Sequence, residues 1–469
     1  MHFQNDEARD LLITMDMKES IKASGWWLGP TSSVGSFALG PFFYYLLFGV
    51  NVITGFNPVA GSFMVALFGI ATIGMFYWVG KMYFGRLVGF LSAFGYTFSF
   101  LMIRFDRFAW NPNVFTFFLL LWLAVLGKLL FSKKQIDNKQ SRWLWLIALL
   151  SGLLAQLHAT GFIFVPLLII ILLIARVKIK PLRRIWESIG IFIVSFLPII
   201  IFDILHKAQN LLGMGKAIFK LSGGEFISIV DRIGSTYEQI INFVSEAFVV
   251  KGSNWAAALM VVLMIAALVL MAWRANRSKD NWLQKRKAII FISWTIIYLG
   301  AYLLFSGTLY LHYFVPWYAL VWILVPVGIT FAVSGLVSRN NWFSRLGAFW
   351  IIVFYVAIIL IPNLTAYRAY IKDGFQGEQN YFYSEESTLG AFNAAKEYIT
   401  TDARERAYTV EILPAEKYNN VERALFNPAE ASQKATLEYT IIVSNSEIKS
   451  EVPAGKLLDT IQGLEIYRK

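Results

Sequence analysis

Between Trp143 and Ala175 the chain reads WLWLIALLSGLLAQLHATGFIFVPLLIIILLIA, with Arg142 just before it and Arg176 just after. As one helix this run would be about 50 Å long, too long for one crossing of a hydrocarbon core about 30 Å thick. Its two basic ends also belong on the same side of a membrane. A hairpin satisfies both conditions, turning near His158-Ala159-Thr160-Gly161. Each arm is then short, so the turn is expected to lie beneath the membrane surface.

The same reasoning extends in both directions. Of the 469 residues, 57% are hydrophobic and only 15% charged, against about 25% charged in soluble chains. Apolar runs predict crossings at 58–79, 86–102, 111–131, 143–158, 160–175, 185–206, 255–273, 288–305, 313–336 and 346–366. Every second connection is basic. The basic set is Lys81 and Arg86; Lys133, Lys134, Lys139 and Arg142; Arg176, Lys178, Lys180, Arg183 and Arg184; Arg274, Arg277, Lys279, Lys285, Arg286 and Lys287; and Arg339 with Arg345. By the positive-inside rule these connections face the cytoplasm. The net charge of +12 is thereby explained without nucleic acid as a partner. Cysteine is absent, which excludes disulfides, thiolate metal sites and cysteine nucleophiles.

Phe37–Ile53 is apolar enough to be taken for another crossing, but Trp26-Trp27 and Gly40-Pro41 favour an interfacial helix entered through a break. The expected organisation is therefore an extracytoplasmic first loop with that helix over 1–57, a transmembrane bundle over 58–366 and a polar tail over 367–469. The bundle includes an outer loop at 207–254. In the tail, a helix-like stretch at 387–400 and β-rich runs at 406–413, 437–443 and 463–467 predict a small extracytoplasmic α/β domain. The fold class is thus an α-helical polytopic protein of the cell membrane.

No predicted crossing carries an acidic or basic residue near its middle, and no internal repeat is visible. Both features weigh against a coupled transporter. The conspicuous polar groups fall at the outer helix ends: Asp6-Glu7, Arg104-Phe105-Asp106-Arg107, Asn111, Asn113, His158, Asp203 with His206, and Tyr310-Leu311-His312-Tyr313. Guanidinium groups match phosphate oxygens bidentately, so Arg104 and Arg107 with Asp106 read as a phosphate clamp. An arginine pair on the outer side also runs against the positive-inside trend. Each group has a plainer reading as well. Asp6-Glu7 could be a solvated loop start, His158 a polar turn residue, and Tyr44, Tyr45, Tyr310, His312 and Tyr313 part of an interfacial aromatic belt.

The order of these motifs resembles the GT-C fold glycosyltransferases. An outer acidic pair precedes the juxtamembrane Gly40-Pro41-Phe42-Phe43-Tyr44-Tyr45. An arginine-bearing loop then runs into Arg107-Phe108-Ala109-Trp110-Asn111-Pro112, and YLHYFVPWY follows at 310–318. The branch it looks most like is the protein O-mannosyltransferase and lipid A aminoarabinose transferase group. The resemblance covers about 1–366. It implies transfer of a sugar from a polyprenyl-phosphate carrier to a glycan, lipid or protein acceptor on the non-cytoplasmic side, with inversion. By the same resemblance Asp6 matches the catalytic acidic residue, with Glu7 beside it. Arg104 or Arg107 would hold the lipid phosphate, and Tyr44 or Tyr45, with Tyr313, would line the phosphate pocket. His158 and His312 join the candidate substrate contacts.

The chain departs from the family pattern in three places. Gly40 stands where a basic residue is common. Asn111 and Asn113 stand where some members carry an acid, so a second carboxylate is Asp106 or absent. The family also places a transmembrane helix before its acidic pair, which here begins at residue 6; a preceding helix is the expectation. Acidic pairs and phosphates attract divalent metal ions, but the sequence requires none. The rival readings are a transporter or flippase of lipid-linked sugars, and a scaffold that presents the C-terminal domain.

Overall fold

The computed structural model describes residues 5–32, 37–131, 141–222, 229–249, 254–277, 282–305, 310–372, 389–404, 406–413, 415–426, 437–443, 456–461 and 464–468. Lys133, Lys134, Lys139 and Lys279, expected on the cytoplasmic side, lie outside them. The chain begins with Asn5–Glu19 (α1) and Phe42–Ile53 (α2). At 1.5 Å per residue α2 spans about 18 Å, short of a hydrocarbon core.

The bundle follows as Ala60–Phe84 (α3), Arg86–Phe98 (α4), Phe100–Phe105 (α5), Asn111–Leu130 (α6), Ser141–Leu157 (α7) and Phe164–Ile174 (α8). Next come Arg183–Ser195 (α9), Leu197–Leu205 (α10), Gln209–Ser222 (α11), Ile229–Phe248 (α12), Asn254–Arg277 (α13), Trp282–Leu304 (α14), Val315–Val337 (α15) and Trp342–Lys372 (α16). Among the described residues six helices are long and apolar enough to cross a membrane, or seven when α9 and α10 count as one span bent by 61°. Pro198 sits in the first turn of α10 at that bend, where its missing N–H costs nothing.

The crossing predicted at 86–102 is two helices. Ser99 adopts an extended conformation and its hydroxyl accepts from the Met102 N–H, starting α5 afresh. The predicted hairpin is present. His158 is extended, and Gly161 lies so close to the backbone of Leu154 and Ala155 that any Cβ there would collide with them. Leu172, Val177 and Ile179 then pack beside Trp143 and Leu144, so the returning arm ends where the outgoing one began. The stretch expected as an outer loop at 207–254 is largely helical where it is described. Its α12 buries Phe243, Val244, Ala247 and Phe248 in the bundle core.

α6 and α15 are apolar on all sides and form the centre of the bundle, as expected of helices surrounded by other helices. The outer helices turn Phe63, Leu67, Ile70, Ile189, Ile193 and Phe354 outward, toward lipid.

The C-terminal part is a small α/β domain: Leu389–Ala403 (α17), Tyr408–Leu413 (β1), Ala415–Leu425 (α18), Leu437–Val443 (β2), Lys456–Ile461 (β3) and Leu464–Arg468 (β4). The sheet order is β1-β2-β4-β3, with β1 and β2 parallel and the other pairs antiparallel. A parallel pair needs a crossover, and α18 supplies it. The domain core of Phe392, Ile399, Val410, Ile412, Val421 and Ile441 also takes in Ala8 and Leu11 of α1. The next turns of that helix pack the other way, with Met17 in the bundle core and Ile13 against it. One helix therefore belongs to both hydrophobic cores.

Candidate active site

Asp6 and Glu7 occupy the first turn of α1, where the helix dipole favours negative charge. Glu7 is buried. Its Oε1 accepts from the Ser62 hydroxyl at 2.8 Å and from the Ala109 N–H at 3.0 Å. These two bonds join α1 to α3 and to the connection between α5 and α6. The acidic pair and the segment bearing Arg104, Asp106 and Arg107 are thus fastened together at one end of the bundle.

On the next turn Arg9 lies between two carboxylates. Its Nη1 donates to Asp6 Oδ1 at 2.8 Å, and its Nε and Nη2 reach Asp10 Oδ1 at 2.9 and 2.8 Å. The Tyr44 hydroxyl donates to the same oxygen at 3.0 Å. Asp10 is fully buried, and that burial pushes its carboxyl up to about 6 although Arg9 acts in the opposite sense. The two carboxylates hold Arg9 protonated.

Asp106 turns toward the bundle. It lies against Gly69 of α3 and accepts from the Tyr96 hydroxyl of α4 at 3.0 Å. Burial raises its carboxyl to about 8, opposed by the Tyr96 bond. Beyond it, Phe108 and Trp110 begin a chain of rings. The Trp110 and His312 centroids are 4.7 Å apart, His312 and His158 5.8 Å, and His158 and Tyr313 5.8 Å. His158 ends α7 and accepts from the Thr160 N–H.

Neither a protein-family model nor a curated protein matches the sequence. The structure, however, is similar to that of ArnT from Cupriavidus metallidurans bound to undecaprenyl phosphate. The TM-score is 0.55 and the identity 14%, over 99% of this chain and 93% of that one. It is also similar to the archaeal oligosaccharyltransferase AglB from Archaeoglobus fulgidus, in complex with an inhibitory peptide and a dolichol-phosphate. There the TM-score is 0.52 and the identity 12%, over 94% of this chain and 66% of that one. The apo form of the Archaeoglobus fulgidus oligosaccharyltransferase matches with a TM-score of 0.51 at 13% identity, over the same shares of the two chains. The fold is GT-C.

Within this GT-C bundle the sequence-predicted residues do not all converge. Tyr44 joins the acidic cluster, but Tyr45, about 100° further round the helix, is exposed and donates to the Trp26 carbonyl at 2.6 Å. The Arg104 guanidinium lies over the Phe100 ring. Asp203 caps the start of α11 through the N–H groups of Asn210 and Leu211, and His206 stacks on Phe202. Gly40 meets the Gln156 side chain, leaving no room for a larger residue.

Among the described residues no three His, Asp or Glu side chains converge as metal ligands. Arg9 separates Asp6 from Asp10, and Glu7 already holds two donors, so this donor set does not form a cage for a divalent ion.

Arg9, Asp10 and Ser62 went unread in the sequence. The signal for two of them was present in Asp6-Glu7-Ala8-Arg9-Asp10, where spacings of three and four put Asp6, Arg9 and Asp10 on one helical face. An apolar cavity of about 760 Å³ adjoins Leu39 and Gly40 and is walled by Phe162, Phe196, Ile200 and Met214.

Proposed function

We propose that the protein is a membrane glycosyltransferase that moves a sugar from a polyprenyl-phosphate carrier to an acceptor hydroxyl on the extracytoplasmic side, with inversion. The observation that carries this reading is the Glu7 carboxylate bound to the Ala109 N–H. It brings the acidic turn of α1 to the connection that holds Arg107, just after the end of α5 with Arg104. The ligands of the similar structures, undecaprenyl phosphate and a dolichol-phosphate, support a lipid phosphate as donor. The apolar cavity beside Gly40 suits part of an isoprenoid chain.

In this reaction the bond between the anomeric carbon and the phosphate oxygen breaks, and the acceptor oxygen bonds to the opposite face of that carbon. Negative charge grows on the departing phosphate, and Arg107 stabilises it. Asp6, partly exposed at the helix start, takes the acceptor's proton. Glu7 anchors the turn. His158, His312 and Tyr313 present aromatic surface to the sugar. The basic connections support a cytoplasmic position for the opposite end of the bundle, with the first loop (1–57) and the C-terminal domain (367–469) outside.

The test is incubation of the purified protein with a labelled polyprenyl-phosphate sugar and a range of acceptors. The expected result is sugar transferred, or released to water. Asp6→Asn and Arg107→Ala should each reduce transfer by about a hundredfold or more, with unchanged membrane insertion. Movement of the intact carrier across a vesicle bilayer, with no cleavage, would replace this reading by the transporter.

A further inference from the structure

We propose that Asp10 is a positioning residue of this site, fixing the Arg9 guanidinium and the Tyr44 hydroxyl beside Asp6; the proposal rests on the glycosyltransferase reading above. Both sides of the Arg9 fork are held by carboxylate oxygens, one from Asp6 and one from Asp10. Asp10 Oδ1 accepts two hydrogen bonds, from Arg9 Nε and the Tyr44 hydroxyl, and lies within ion-pair distance of Arg9 Nη2. Its Oδ2 is buried and has no partner among the described residues. One turn further along α1, Asn51 Nδ2 of α2 donates to Thr14 Oγ1 at 2.7 Å, and Asn51 Oδ1 is likewise buried without a partner.

A buried carboxylate with one oxygen unsatisfied costs stability. Packing alone would be served as well by an apolar residue of similar volume. What the carboxylate provides here is a fixed negative charge that an uncharged residue cannot supply to Arg9. Without it Arg9 pairs with Asp6 alone, and the residue proposed to take the acceptor's proton gains an unshared ion pair.

The titratable and charged groups facing Asp10 are Arg9 and Asp6 on its own helix and the neutral Tyr44 hydroxyl on α2. Glu7 turns instead to Ser62 and Ala109. On α18, which packs against α1, Glu422 accepts from the Ile412 N–H and Arg423 is exposed. The Ser24–Trp26 turn brings no ionisable side chain. Burial places the Asp10 titration at about 6, so below that pH Arg9 loses one anchor and transfer should fall.

The test compares the full-length protein with Asp10→Asn, which keeps the shape and the acceptor oxygen but not the charge. The expected maximal rate is about tenfold lower, with donor KM changed by less than about twofold. The acid limb near pH 6 should be absent from the variant's pH–rate profile. A variant that keeps the parent's rate, or keeps that limb, overturns the proposal.

Should Asp10→Asn fail to fold, Tyr44→Phe removes one donor from Oδ1 and leaves the charge. Its acid limb should move to higher pH, because the lost hydrogen bond favours the carboxylate; an unmoved limb overturns the proposal equally. A parent protein that transfers no sugar ends the functional reading itself. A transferring parent whose acid limb ignores Asp10 ends only this one.

Discussion

Asp10 and Asp106 are two carboxylates at the same end of the bundle with opposite surroundings. Asp10 has no exposed surface, yet it sits on a guanidinium and a phenol. Asp106 is half-buried, and its hydrogen-bond donor is the Tyr96 hydroxyl. Desolvation raises both, to about 6 for Asp10 and about 8 for Asp106. Desolvation is the largest influence on both, and the Arg9 guanidinium holds Asp10 below Asp106. Asp106, the sequence's one candidate for a second carboxylate, is raised toward the protonated form by its burial. Asp10 offers a charge.

The largest test of this contrast is removal of the cation. Arg9→Met leaves Asp10 buried without a counter-ion, which should destabilise the fold by about 3 kcal/mol or force Asp10 to take a proton. Asp10 would then behave like Asp106, and the pH dependence of thermal unfolding should show its titration moving up from about 6.

A smaller effect separates the two groups directly. Each carboxyl is raised in the folded state above its ordinary value near 4, so each supports stability in acid and withdraws that support as pH rises to its folded value. For Asp10 the loss runs from about 4 to about 6, and for Asp106 from about 4 to about 8. The melting temperature of Asp10→Asn relative to the parent should climb by about 2 °C or more and level off above pH 6. That of Asp106→Asn should go on climbing to pH 8. Identical windows for the two variants would dissolve the distinction. The smallest effect is that of Tyr96→Phe, which removes one hydrogen bond to a neutral acid at pH 7 and should cost about 1 kcal/mol in chemical denaturation.

The hairpin at 143–175 was legible because arginines bracket an apolar run of the wrong length for one span, and both facts are local. The positions of β1, β2 and β4 were legible for the same reason: short β-rich runs in a polar tail. α18 and β3 were not, since Ala415–Leu425 and Lys456–Ile461 are short and polar and take their order from packing on distant strands. The site followed the same rule. Asp6, Glu7 and Arg107 stood out as charges in short outer segments. Arg9 and Asp10 looked like solvated members of a charged turn. Their burial depends on α2 and on a C-terminal domain nearly four hundred residues further along the chain. Tyr44 and Tyr45 could not be told apart until the rotation of α2 was known.

The double allegiance of α1 has a mechanical consequence. Ala8 and Leu11 are set by the tail domain, while Glu7, Asp10 and Met17, within the same few turns, are set by the membrane helices. A helix packed in two cores ties the position of the tail domain to that of the acidic turn. Any molecule that grips the tail domain in its folded form tightens that link by mass action. The tail domain therefore holds a lever on the acidic turn of α1.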